Sequence, residues 1–108
     1  MKEKNFNNLI KDIVNKIVKG SQPEKVILFG SAVKHSAKTI NDLDFLVVKA
    51  SNLRRDIRGE EIKKSLTDVI FPIDIFVYTP EEYKKFKNLS GSFVSKIEKT
   101  GKTLYESK

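Results

Sequence analysis

Three short apolar runs constrain this chain more than any other feature. They are Val26, Ile27, Leu28 and Phe29; then Phe45, Leu46, Val47 and Val48; then IDIFVY at 73–78. Each is shorter than a buried helix needs and rich in β-branched or aromatic residues. Pro23 and Gly30 bracket the first, Asp44 opens the second, and Pro72 and Pro80 bracket the third. The runs therefore read as strands at 25–29, 43–49 and 73–78.

Helical patterns lie between them. Phe6, Leu9, Ile10, Ile13, Val14, Ile17 and Val18 share one face of a helix over about 5–19, with Gly20 as its C-cap and Pro23 barring continuation. Ser31 opens a short helix to about 37. Ser51 or Asn52 caps a helix reaching about 69, with Leu53, Ile57, Ile62, Leu66 and Val69 as its apolar face. Gly59 weakens that helix, since an interior glycine costs ~1 kcal/mol relative to alanine. Thr79, Pro80 and Glu82 stand at N-cap, N1 and N3 of a helix to about 87. A further helix covers 91–100, with Phe93, Val94 and Ile97 inward and Gly101 ending it. A terminal strand follows at 102–105. This order predicts an α+β fold, a mixed sheet of three or four strands flanked by helices.

Composition narrows the function classes. The 108 residues make one domain, 1–108. The chain has no cysteine, which excludes disulfides, thiolate metal sites and a cysteine nucleophile. No apolar run approaches the roughly 20 residues of a membrane span, and MKEKNFNN has no signal-peptide core. The expected location is the cytoplasm, with no membrane contact. The net charge of +7 fits either an anionic partner or a solvated lysine-rich surface.

The residues at the strand mouths carry the chemistry. Asp42 and Asp44 are spaced i and i+2, so a strand presents both carboxylates on one face and turns Leu43 to the other. Like charges so placed oppose each other's ionisation unless a cation joins them, and Mg²⁺ suits one or two carboxylates completed by phosphate and water. Asp-x-Asp is also a common tripeptide, and an aspartate at a strand mouth often only caps a turn. Asp74, between Ile73 and Ile75, is costly inside a strand unless paired or metal-bound. Gly30-Ser31 closes a strand and starts a helix, where free N–H groups and the hydroxyl suit a phosphate. It is equally the pattern of an ordinary capped turn. Lys34 adds a positive charge nearby. His35, the single histidine, reads as a solvated loop residue. Gly101-Lys102-Thr103 matches only the end of a P-loop, because the required upstream glycine is Lys96.

Taken together, Gly30-Ser31, ten intervening residues, Asp42-x-Asp44 and a later Asp74 resemble the nucleotidyltransferase superfamily that includes DNA polymerase beta. The size and layout look like its minimal members, the MNT proteins. The resemblance implies that Gly30, Ser31 and Lys34 bind the nucleotide phosphates. It also implies that Asp42, Asp44 and Asp74 hold two Mg²⁺ ions, and that Asp74 helps activate an acceptor hydroxyl. Family members often carry arginine where this chain has Ala32 and Lys34, and serine where it has Asn41. Lysine lacks the bidentate fork of arginine.

The resemblance further implies transfer of AMP from ATP to a protein. MNT proteins are typically the antitoxin half of a pair whose partner is a HEPN ribonuclease toxin, and the implied acceptor is a toxin tyrosine. Nucleic acid then enters only through the partner. The alternatives are an antitoxin that acts by binding alone and a small nucleic-acid-modifying nucleotidyltransferase.

Overall fold

The computed structural model describes residues 2–34 and 39–107, the side chain of Lys34 excepted. Among the described residues the elements run in the order α1 (Glu3–Ser21), β1 (Lys25–Phe29), α2 (Ser31–Lys34), β2 (Leu43–Val48), α3 (Arg55–Lys63), a 3₁₀ turn (Lys64–Leu66), β3 (Ile73–Tyr78), α4 (Pro80–Lys87), α5 (Phe93–Thr100) and β4 (Lys102–Glu106). The strands form one mixed sheet in the order β3-β2-β1-β4. β1 is antiparallel to β2 and β4, while β2 and β3 run parallel, joined by the α3 crossover. This is the predicted α+β architecture, with four strands.

Alternation along each strand sorts the side chains onto two faces. On one face Val26, Leu28, Leu43, Phe45, Val47 and Val77 pack against the α1 stripe of Phe6, Ile10, Ile13, Val14 and Ile17, with Ile62 and Leu66 beside them. On the other, Ile27, Leu46, Val48 and Tyr78 pack against Tyr83 of α4 and Val94 and Ile97 of α5. That second layer covers only part of its face. Toward the start of β2 and β3 the same face carries Phe29, Asp44, Asp74 and Phe76, none of them buried.

Several local expectations change. Helix α1 runs through Gly20 to Ser21, and the left-handed cap is Gln22, at φ 50°. The third helix starts at Arg55, not at residue 51 or 52, and ends in the 3₁₀ turn at Leu66. The Ser51 hydroxyl instead accepts from the Leu53 N–H at 3.0 Å, a local turn that competes with helix initiation. Leu53 and Ile57 are 39% exposed and face away from the core. Phe93, expected inward, turns toward the sheet and packs on Phe29 and Phe76 but stays 43% exposed at the first position of α5. The Thr79 capping box forms as expected, with Thr79 N–H to Glu82 Oε1 at 2.9 Å and Glu82 N–H to Thr79 Oγ1 at 3.2 Å.

Gly59 belongs to the packing of α3. A Cβ on it would lie 2.5 Å from the Ile75 carbonyl oxygen. The missing side chain lets α3 lie against the outer margin of β3 and shield it. Next to it Arg58, 8% exposed, donates Nε–H to the Leu53 carbonyl at 2.8 Å, and its guanidinium meets the Val77 carbonyl at 3.3 Å and Glu82 Oε1 at 2.6 Å. One buried arginine thus ties α3, β3 and α4 together.

Candidate active site

Parallel pairing sets Asp44 directly beside Asp74, and antiparallel pairing sets Phe29 on the other side of Asp44. Asp42 lies just before β2, two residues from Asp44. The three aspartates offer carboxylate oxygens that all lie within 4.8 Å of one another. Asp42 and Asp44 are half-buried and Asp74 is exposed. The exposure of Asp74 lessens the cost expected of an aspartate inside an apolar strand: β3 is an outer strand, and its face there is only partly covered.

Gly30 adopts φ 79°, a left-handed conformation that glycine takes without strain. The turn brings its backbone against Asp44, so close that a Cβ on Gly30 would stand 2.7 Å from Asp44 Oδ2. Ser31 follows as the first residue of α2, and the Val33 N–H bonds back to the Gly30 carbonyl at 3.2 Å. The glycine turn and the acid cluster are therefore neighbours at one end of the sheet. The side chain of Lys34 and all of His35 lie outside the described residues.

Electrostatics sharpen the cluster. Burial pushes the Asp44 carboxyl up to about 6, and the negative charges of Asp42 and Asp74 and a hydrogen bond to Asp74 add to the rise. A carboxylate so opposed is relieved by a cation. Oxygen-only donors at this mutual spacing fit a hard divalent ion of the Mg²⁺ type. The donor set passes that test on its chemistry and its geometry.

Residues 11–108 match the family model described as "Polymerase beta, Nucleotidyltransferase". The chain belongs to the polymerase beta nucleotidyltransferase family. No curated protein matches it. Among solved structures, a chain from a mutant form of the toxin-antitoxin MntA-HpeT has 20% identity and a TM-score of 0.50, covering 100% of this chain and 75% of its own. A second mutant form of the same complex gives 21% identity and a TM-score of 0.47, covering 100% of this chain and 74% of its own. The first of these likenesses supports the nucleotidyltransferase fold. No helix among the described residues is long and apolar enough to cross a membrane.

Two features of this region escaped the sequence. Phe29, Phe76 and Phe93 form an aromatic cluster beside the aspartates, with ring centroids 5.7 Å apart for Phe29–Phe76 and 5.5 Å for the other two pairs. The period-2 placement of Phe76 two residues after Asp74 was the available signal. Arg58 was the other omission, hidden as one more charged residue in a helix of mixed charge.

Proposed function

We propose that this protein is an Mg²⁺-dependent nucleotidyltransferase that moves AMP from ATP to a tyrosine hydroxyl of a cognate HEPN ribonuclease toxin, and so acts as an MntA-like antitoxin. The observation that carries the reading is the convergence of Asp42, Asp44 and Asp74 at the Gly30 turn. Binding alone would not require three carboxylates held against their mutual repulsion.

In this reading Asp42 and Asp44 hold two metal ions and Asp74 completes one of the sites. When bound there, Mg²⁺ neutralises phosphate charge and polarises the α-phosphoryl group. Gly30 lets the backbone approach the β- and γ-phosphates, Ser31 donates a hydrogen bond, and Lys34 adds charge. The tyrosine oxygen attacks the α-phosphorus in line. A new P–O bond to tyrosine forms, and the bond from the α-phosphorus to its bridging oxygen breaks. The electron pair leaves with pyrophosphate, and the Asp74 carboxylate takes the hydroxyl proton. The chain's contribution is positioning and fixed electrostatics.

A protein acceptor suits the open end of the sheet. Among the described residues α3 and Phe93 of α5 cover Asp74 and Phe76 only in part, and a folded partner would complete the wall. The family membership supports nucleotidyl transfer, and the likeness to a toxin-antitoxin chain motivates the choice of partner.

Incubation with α-labelled ATP, Mg²⁺ and the protein encoded by the neighbouring gene tests the reading. Label on that protein's tyrosine is the expected result. A tight complex without label supports neutralisation by binding, and label on added RNA supports a nucleic-acid-modifying enzyme.

A further inference from the structure

A groove of about 390 Å³ runs along β3, lined by Asp74, Phe76 and Tyr78 on the strand and by Arg55, Gly59 and Lys63 on α3. It starts at the acid cluster and leads away from the Gly30 turn. Phe76 is 40% exposed, and its neighbour Phe93 is 43% exposed. Together with Phe29 they present mutually packed ring surfaces to water beside three carboxylates. Such a contiguous apolar patch at the edge of a polar site marks a place that a ligand covers.

The geometry of displacement says which ligand. The Gly30 turn, Asp44 and Asp74 belong to neighbouring strands in the order β1, β2, β3. In-line transfer sets nucleophile and leaving group on opposite sides of the phosphorus. With pyrophosphate at the Gly30 turn, the attacking hydroxyl arrives from the β3 side, where the groove opens. We infer that this groove receives the acceptor-bearing segment of the partner protein, with Phe76 in its wall packing against the ring of its tyrosine and Phe93, which lies outside the groove lining, holding the Phe76 ring in place. The inference rests on the adenylyl-transfer reading above. Aromatic rings favour edge-to-face or offset contacts, and a serine or threonine acceptor offers no such ring.

The partner segment cannot enter as an added strand. The outward Ile75 carbonyl faces the Gly59 backbone, and the Val77 carbonyl accepts from Arg58. Recognition therefore runs through side chains.

Phe76→Ala and Phe93→Ala test the assignment, with Phe76→Leu as a conservative control. Transfer of labelled AMP to the neighbouring-gene toxin is measured while each substrate is varied, and folding is checked by thermal melting. The expected result is a KM for the toxin raised about tenfold, with the KM for ATP unchanged within about twofold and Phe76→Leu intermediate. If Phe76→Ala fails to fold, Phe93→Ala and Phe76→Leu carry the comparison. A raised KM for ATP with an unchanged KM for toxin assigns the rings to the nucleotide and overturns the inference. Unchanged values for both also overturn it. A wild-type protein that labels nothing removes the adenylyl-transfer reading and the inference together.

Discussion

Gly30 has no side chain to place between its own backbone and Asp44: a Cβ there would stand 2.7 Å from Asp44 Oδ2. The absence serves two ends. It permits the left-handed turn, and it leaves the carboxylate free to face Asp42 and Asp74. Gly30→Ala should cost about 1–2 kcal/mol in stability from the backbone alone. It should also displace the Asp44 carboxylate, so transfer should fall further than the melting temperature suggests. Retention of near-normal transfer in a folded Gly30→Ala protein would sink the assigned geometry.

Asp42→Asn and Asp44→Asn should each lower AMP transfer at least about a thousandfold while leaving the fold intact. The stability effect has the opposite sign. Asp44 carries a charge that burial and two like neighbours oppose, so its neutralisation should relieve the metal-free protein. We expect Asp44→Asn to raise stability near neutral pH by about 1 kcal/mol, a figure already reduced for solvent screening. Thermal melts with and without Mg²⁺ check both parts. Mg²⁺ should stabilise the wild type strongly and Asp44→Asn weakly.

Gly59→Ala separates two explanations of a mid-helix glycine. If only helix propensity mattered, alanine would stabilise by ~1 kcal/mol. The new Cβ would meet the Ile75 carbonyl oxygen at 2.5 Å, however. Separating α3 from β3 to avoid that contact should outweigh the gain and give a net loss of about 1–3 kcal/mol. Denaturant unfolding reads the sign directly.

Arg58→Ala should destabilise by about 2–3 kcal/mol, less than for a wholly buried pair because Glu82 is partly solvated. The arginine also shapes the acid response. Arg58 beside Glu82, helped by the Thr79 N–H and Arg55, holds the carboxyl down at about 2, against an ordinary 4.5. A depressed carboxylate contributes stability that is present above its unfolded value and lost as pH falls through the folded one. The wild type should therefore lose stability between about pH 4.5 and 2. Glu82→Gln should flatten that part of the profile, as urea midpoints at several pH values would show.

Where a pattern was local, it could be read in advance. The strands at Lys25–Phe29 and Ile73–Tyr78, the α1 stripe and the Thr79 capping box needed only period, β-branching and turn chemistry. Strand alternation likewise put Asp42 and Asp44 on one face, whereas their grouping with Gly30 came from the resemblance to the nucleotidyltransferase family. What stayed hidden depended on tertiary contact. Gly59 looked like a helix defect until the Ile75 carbonyl supplied its reason. Asp74 looked costly in its strand because flanking residues do not reveal that β3 is outermost. Arg58 and Phe76 gained their meaning from partners 19 or more residues away in the chain or from strands that no local rule brings together.

Ile73, Ile75 and Val77 alternate with Asp74 and Phe76 and press the opposite side of β3 into the apolar core. A shift of β3 by one position would drive Asp74 among those greasy residues and turn an isoleucine toward Asp44. The oil on the back of the strand therefore acts as a ratchet for the acids on its front. Mutations in this protein's interior, remote from any nucleotide, will be felt as misalignment of its chemistry before they are felt as unfolding.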